Sequence, residues 1–154
     1  MLSALDAYRA AFAPARLRDP FLTHYALPGP TATTLDRGQF LSASRRAYLA
    51  LRRRGLGRGD TVLHFFSGNT VCDLAFRLAS VFLGCVPVTV NWDADTPERV
   101  LYKLTATSAK LVLHDPGTDE AKRAFLRERA PDVPHLDAAA EIIAAGDGPA
   151  CSTP

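Results

Sequence analysis

The sequence has little of what marks a secreted, metal-binding or membrane-spanning protein. Its cysteines, Cys72, Cys85 and Cys151, are odd in number and lack the paired spacing of a metal site, which favours reduced thiols over a disulfide framework. No apolar run reaches the roughly 18 residues of a membrane span, and the N-terminus lacks the apolar core of a signal peptide. We therefore expect a cytoplasmic protein without a membrane span.

The net charge of the chain is also small. The 18 basic side chains nearly balance the 16 acidic ones, leaving +2 at neutral pH, so there is no strong field for nucleic acid or anionic lipid. The densest basic run is Arg52, Arg53 and Arg54. It is interpreted as a solvated helix end whose arginines complement the helix dipole. A nucleic-acid patch is the less favoured alternative.

Recognisable catalytic and metal-binding motifs are missing too. The sequence has no Gly-x-Ser-x-Gly, Cys-x-x-Cys or His-Glu-x-x-His, the patterns of common nucleophiles and metal sites. We assign no catalytic residue and no metal ligand, and the sequence leaves any cofactor-binding residues unknown. A shared role for the histidines would require the fold to bring them together, because they are scattered at His24, His64, His114 and His135.

Two polar stretches are candidate ligand sites. Residues 66–70, FSGNT, form a strand-to-helix turn, where a helix N-terminus can bind phosphate. They lack the several glycines and the lysine of a phosphate loop, so Asn69 or Thr70 as a helix N-cap is favoured.

The second stretch is a small acidic cluster after a predicted strand. Its members are Asp93, Asp95 and Glu98. Carboxylates of this kind bind magnesium in some proteins. Here Thr96 and Pro97 mark the start of a helix, and a helix start explains all three acids.

Residues 61–90 predict a strand, a helix and a second strand. Residues 61–66 form a short apolar run typical of a doubly buried strand. Gly84 ends the helix, and Pro87 indicates that the strand at 86–90 lies near a sheet edge or pairs weakly at its start. The helix is expected to be largely buried, with Asp73, Arg77 and Ser80 as its only polar strip. Its apolar surface comprises Val71, Leu74, Ala75, Leu78, Val81 and Phe82, widened by Cys72, Phe76, Ala79 and Leu83.

The alternation of strands and helices continues, with strands at 110–114 and 133–136. It predicts an α/β fold with an open, mostly parallel sheet covered by helices on both faces. An N-terminal antiparallel hairpin is expected from strands at 21–27 and 32–35 around a Pro-Gly-Pro turn. The predicted organisation is an N-terminal helix and connector at 1–30, an α/β domain at 31–145 and a flexible tail at 146–154.

Three stretches carry the pattern of a known family. ALRRRGLGRGDTV at 50–62 is similar to the segment leading into that family's first strand, and FLGCVPVTVN at 82–91 to its Ala-Gly-Ala…Val-Pro-Leu-Asn segment. LYKLTATSAKLV at 101–112 matches a following helix and strand. Together they resemble the N-terminal region of the adenylate-forming (AMP-binding) superfamily of acyl-CoA synthetases, luciferase-like enzymes and adenylation domains. Thr89 and Trp92 stand where prolines are common in the family.

This resemblance implies an ATP-dependent ligase that activates a small carboxylate with Mg²⁺ and passes the acyl group to coenzyme A. The family's Ser/Thr/Gly-rich loop ending in Pro-Lys, its ribose-binding aspartate and its catalytic lysine have no counterpart here, so the chain alone is expected to be inactive. Its expected partners are the remainder of the enzyme or another copy of itself. A stand-alone, non-catalytic interaction module and an unrelated doubly wound nucleotide-binding domain remain alternatives.

Overall fold

The computed structural model describes residues 4–25 and 32–143, with residues 4, 5 and 143 described by backbone alone. A 3-10 turn at Pro14–Arg16 follows the first helix. The elements in chain order are α1 Ala4–Ala11, β1 Pro20–Tyr25, β2 Ala32–Asp36, α2 Arg37–Arg53, β3 Thr61–His64, α3 Val71–Leu83, β4 Val86–Thr89, α4 Pro97–Ala106, β5 Leu111–His114, α5 Glu120–Arg129, β6 His135–Asp137 and α6 Ala138–Ile143.

The main sheet is parallel throughout, with strand order β4-β3-β5-β6. Strands β1 and β2 form a separate antiparallel hairpin. Alternate strand residues contribute to two cores: Val62 lies in one with α2, α3 and α6, and Leu63 in the other with α4 and α5. The predicted α/β class, the helices on both faces and the hairpin are therefore confirmed.

Helix ends follow the local sequence closely. The Asp36 side chain accepts from the Gln39 amide while Gln39 reaches back to the Asp36 amide, a capping box that satisfies two otherwise unpaired donors. Thr70 caps α3, as one of the two predicted candidates. Gly84 ends that helix at φ +77°, a left-handed conformation that glycine adopts without penalty.

The burial of α3 differs from the sequence expectation in one respect. Asp73 and Ser80, predicted to lie on a polar strip, are buried, whereas Leu74 and Val81 are 37% and 43% exposed. The helix is rotated about its axis relative to the prediction because His64 on β3 is a hydrogen-bonding partner for Asp73. The apolar stripe assigned from spacing alone was therefore wrong at Leu74 and Val81.

The edge strand β4 is protected against further pairing. The Val86 and Val90 amides donate to the carbonyls of Asp60 and His64 on the β3 side, so the groups of the alternate residues point outward. Of these, Pro87 has no N–H, and the Thr89 carbonyl accepts from the Lys103 ammonium group at 3.0 Å. A proline and a lysine on an edge are known barriers to strand addition.

Some sequence expectations have a different outcome or lie outside the described residues. Cys85 is a free, buried thiol, but Cys72 is disulfide-bonded, contrary to the expectation of three reduced thiols. The predicted turn at 28–30, residues 144 and 145 of the predicted α/β domain and the tail at 146–154 lie outside the described residues. The domain boundaries stay predictions. Among the described residues, no helix is both long and apolar enough to cross a bilayer.

Candidate functional site

Two features meet at the carboxyl ends of the parallel strands, where open α/β sheets bind their ligands. Strand β4 follows β3 on one side, and β5 then lies on the other side of β3. The order therefore reverses between β3 and β5, and the crevice at that point is the expected ligand position. The second feature is a separate cleft beside β3 and β4.

The crevice between β3 and β5 is closed by hydrogen bonds between its two loops. Ser67 donates from its amide to Asp115 at 3.3 Å and from its hydroxyl at 3.0 Å. The single Thr118 hydroxyl hydrogen is shared between the Phe65 carbonyl at 3.0 Å and Asp115 Oδ1 at 2.8 Å. A Cβ on Gly117 would lie 2.8 Å from the Ser67 hydroxyl oxygen, so the loops are in direct contact.

The cleft beside β3 and β4 has a volume of about 430 Å³. Its wall carries a chain of polar side chains that begins at His64, which is 1% exposed. His64 Nδ1 lies 2.8 Å from Asp73 Oδ1, and Arg77 Nε donates to Asp73 Oδ2 at 2.9 Å. Arg77 then donates to the Thr89 hydroxyl at 3.1 Å. The helix α3 and the strands β3 and β4 are thus joined by one hydrogen-bonded path.

The protonation of His64 follows from its surroundings. An ionised carboxylate only accepts hydrogen bonds, and the Asp73 carboxylate also binds Arg77, so Nδ1 of His64 carries the hydrogen. Burial lowers the pKa of His64, and this outweighs the opposing effect of Asp73. The ring is consequently neutral at physiological pH, and its Nε2 is a hydrogen-bond acceptor.

The acidic cluster is divided between two roles. Asp95 is buried, and it accepts from the Asn91 amide at 2.8 Å and pairs with Arg99 and Lys103. Burial opposes its ionisation, but the hydrogen bonds from Lys103 and Asn91 prevail and lower its pKa. Asp95 therefore holds the 91–95 loop on α4. Glu98 lies in the first turn of α4, and Asp93 is exposed. Within the described residues, no group of three acidic, histidine or cysteine side chains is placed to hold a metal ion.

The histidines are brought together only in part. The rings of His114 and His135 lie 6.1 Å apart between centroids, and Arg123 lies 3.0 Å from His114 Nδ1. Their pKa values are lowered first by burial and then by nearby arginines, to about 4 for His135. His24 lies in the separate hairpin. The structure thus pairs two of the four histidines next to cations, a poor setting for a metal ion.

Sequence patterns missed the His64–Asp73 contact. Nine residues separate the two side chains along the chain, and no periodicity links a strand residue with a helix residue. One signal was available, because Asp73 and Arg77 are charged residues inside an otherwise apolar helix. Charged groups in such a setting require a buried partner.

Comparison with known proteins identifies the chain. No model of a known protein family matches it. The 4-coumarate–CoA ligase 3 of Oryza sativa subsp. japonica is 31% identical over 113 residues, 73% of this chain. O-succinylbenzoate coenzyme A synthetase of Bacillus subtilis, solved with AMP, aligns over 94% of this chain with a TM-score of 0.71 and 16% identity. The chain belongs to the adenylate-forming superfamily.

The chain corresponds to the N-terminal segment of this superfamily. A benzoate CoA ligase from Burkholderia xenovorans LB400 aligns over 99% of the chain, with a TM-score of 0.71 and 22% identity. At such identities the solved structures show the shared fold alone. The chain spans 20% of the rice ligase and about a third of each of these two structures.

Superfamily membership confirms the resemblance and excludes the alternative of an unrelated nucleotide-binding domain. The superfamily-like segment 82–91 forms the end of α3, the edge strand β4 and the start of the following loop. The two departures from the family pattern, Thr89 and Trp92, both line the cleft that contains His64. The two substitutions at family proline positions therefore lie at one place.

Proposed function

We propose that this chain is the non-catalytic N-terminal portion of an ATP-dependent acyl-CoA or aryl-CoA ligase. The rice relative is a 4-coumarate–CoA ligase, and related structures were solved with AMP or with ATP and magnesium ion. The complete enzyme would use ATP, Mg²⁺ and coenzyme A to activate a small carboxylate. Its remainder would be the partner of this segment, in the cytoplasm.

One observation carries the proposal of a scaffold rather than a catalyst. The crevice between β3 and β5, where a free-standing doubly wound domain would bind its nucleotide, is filled by the Ser67, Asp115 and Thr118 contacts. Phosphate binding at that point would need backbone amides free to face the ligand. The Ser67 amide is instead directed to Asp115.

The sequence supports the same assignment. The 154 residues contain no Ser/Thr/Gly-rich loop ending in Pro-Lys, the pattern with which the superfamily binds ATP phosphates. Adenylation depends on groups aimed at the charge that develops on the transferred phosphoryl group. This segment supplies the parallel sheet and its helices, and the proposed role is to support the remainder of the enzyme.

Pyrophosphate exchange tests the proposal directly. We expect the purified 154-residue chain to show no carboxylate-dependent exchange of pyrophosphate into ATP with Mg²⁺ and 4-coumarate, benzoate or a fatty acid. A benzoate CoA ligase in the same assay provides the positive control, and calorimetric titration with MgATP checks binding independently. Exchange above that of a boiled sample would show that the chain holds a catalytic site and would contradict the scaffold assignment.

A further inference from the structure

A groove lies between α1, the first half of α2 and the end of α3, in the helical layer of the fold. Its volume is about 590 Å³, within the usual range for small-molecule sites. All of its lining residues belong to these three helices or to the connector between α1 and β1. The groove is therefore separate from the crevice and the cleft at the carboxyl ends of the strands.

Aromatic side chains form the apolar walls of the groove. Tyr8 of α1 packs edge to face with Phe82 of α3, with 6.1 Å between the ring centroids. Phe12, Tyr48 and Phe82 are partly buried and pack against the core formed with α2 and α3. Tyr8 is 36% exposed, so part of its ring contacts water. The walls thus offer apolar surface that a ligand would cover.

The charged residues among the lining are both arginines, Arg9 and Arg45. Arg45 is exposed, and within the described part of the chain its guanidinium group makes no hydrogen bond and no ion pair. Leu41, Arg45 and Tyr48 follow one another at helical spacing on α2 and therefore share one of its faces. This spacing places an unpaired cation next to the aromatic wall.

Positive charge prevails around the groove. Arg9 has one ion pair, with Asp6 at 3.5 Å, in which the two side chains are 70% and 46% exposed, so water screens it. Arg52 adds a third guanidinium group, 5.8 Å from the centroid of the Tyr48 ring, and α2 contains no acidic residue. Three cations are thus opposed by one carboxylate, which makes the groove complementary to an anion.

We propose that this groove binds a small amphipathic anion, a molecule with one carboxylate or sulfate head group on an apolar chain or ring. The planar guanidinium group of Arg45 would donate to two oxygen atoms of the head group. The apolar body would lie against the Tyr8, Tyr48 and Phe82 rings and remove their surface from water. The inference does not depend on the proposed ligase role, because the groove shares no residue with the carboxyl ends of the strands.

Calorimetric titration of the 154-residue protein tests the selectivity for an anion, with probes that share one octyl-length chain and differ in the head group. We expect octanoate and octyl sulfate to bind saturably, with dissociation constants on the order of 0.1 mM. Octylammonium and octanol should bind about tenfold more weakly, since neither has an anionic head group. All probes stay below their critical micelle concentrations, so that a single molecule and not a lipid surface is tested.

The four tyrosines show where the ligand binds. Tyr8 and Tyr48 line the groove, whereas Tyr25 lies in the separate hairpin and Tyr102 is exposed on α4. In protein labelled with ¹³C-tyrosine, octanoate should shift the ring resonances of Tyr8 and Tyr48 with the dissociation constant found by calorimetry. The resonances of Tyr25 and Tyr102 should stay unchanged.

Variants of exposed arginines separate binding from folding. Arg45→Ala should weaken octanoate binding about tenfold, with the unfolding midpoint unchanged. Arg45→Lys should recover part of that loss, because lysine keeps the charge but not the planar fork. Arg129→Ala is the matched control, since Arg129 is likewise exposed and next to an aromatic ring, but lies on α5 against the other core. It should leave binding unaltered.

Three results would overturn the inference. One is the absence of saturable binding of both octanoate and octyl sulfate. Another is binding of octylammonium or octanol as tight as that of the anions, which would show that the guanidinium groups do not select the ligand. The third is a resonance shift confined to Tyr25 or Tyr102, or unchanged binding in Arg45→Ala, which would place the ligand elsewhere on the protein.

Discussion

At the scale of single residues, the polar chain through His64, Asp73 and Arg77 is the most consequential feature. Asp73 is only 6% exposed and depends on its two partners for the hydrogen bonds that water would otherwise provide. Removing one partner of a buried charge costs more than the pair itself contributes, because the remaining charge is left without compensation. Arg77 is partly exposed, so water can replace part of its effect.

Arg77→Ala should therefore lower the free energy of unfolding by about 1–3 kcal/mol. This exceeds the change of less than about 1 kcal/mol that its position on a solvated strip would suggest. Urea denaturation followed by Trp92 fluorescence measures the change. Arg127→Ala is the matched control, since Arg127 and its partner Glu120 are both exposed, and it should cost less than about 1 kcal/mol. Equal losses in the two variants would contradict the buried role of Asp73.

The buried histidines make stability depend on pH. The folded pKa values of His64, His114 and His135 are lowered, so between pH 6.5 and about 4, the value for His135, the unfolded chain binds more protons than the folded one. Stability is therefore fully present above pH 6.5 and is lost as the pH falls through this window.

Urea midpoints at about pH 7.5 and about pH 5, on either side of the ordinary histidine pKa, test this linkage, and we expect the lower midpoint in the acidic sample. His135→Phe should flatten the dependence, because both ring nitrogens of His135 lack partners among the described residues and the substitution removes a group that must stay neutral. A midpoint that rises on acidification, or an unchanged slope in His135→Phe, would rule out the assignment.

At the scale of elements, α3 has one side buried against the rest of the fold and one side exposed to solvent. Its interior side contacts α2, α6 and β4, and the capping residues Thr70 and Gly84 fix where it begins and ends. Leu78 is 5% exposed, and Leu74, one turn earlier, is far more accessible. The two leucines thus offer the same chemistry in opposite environments.

Leu78→Ala should lower the free energy of unfolding by about 2–5 kcal/mol, because it removes buried methyl groups and leaves a cavity. Leu74→Ala should change it by less than about 1 kcal/mol, since much of that side chain already contacts water. Chemical denaturation of both variants provides the comparison. Similar losses at the two positions would mean that the orientation of α3 is wrong.

At the scale of the whole molecule, apolar side chains are exposed around the edge strand. Leu74 and Val81 lie two turns apart on α3, and Val86 lies on β4, which contacts that helix. Exposed apolar groups of this kind mark interaction surfaces. In a segment that spans about a fifth of the rice relative, the remainder of an enzyme is the natural cover. The backbone of β4 is unsuited to pairing because of Pro87 and Lys103.

We predict that the isolated chain self-associates at micromolar concentration through these side chains and not by strand addition. Sedimentation velocity at several concentrations measures the association. Val81→Lys combined with Val86→Lys should give a monomer. A well-behaved monomer in the unaltered chain would favour a stand-alone interaction module over a segment of a larger enzyme.

The sequence by itself determined where the elements begin and end and how they alternate. The Asp36 capping box, the Thr70 cap and the Gly84 terminus all depend on interactions within a few residues. Short-range chemistry of this kind is encoded locally. The superfamily resemblance was recognisable for the same reason, since its motifs are continuous stretches.

Only the tertiary structure decided which polar groups meet. Ser67 and Asp115 are 48 residues apart and close the crevice between β3 and β5, and Asp73 turns inward because His64 lies on the neighbouring strand. Spacing along a helix predicts which side chains share a face, but the partner that makes burial of a charge tolerable belongs to another element. That partner reversed the expected environments of Asp73 and Leu74, and Asp73 became part of the lining of the cleft.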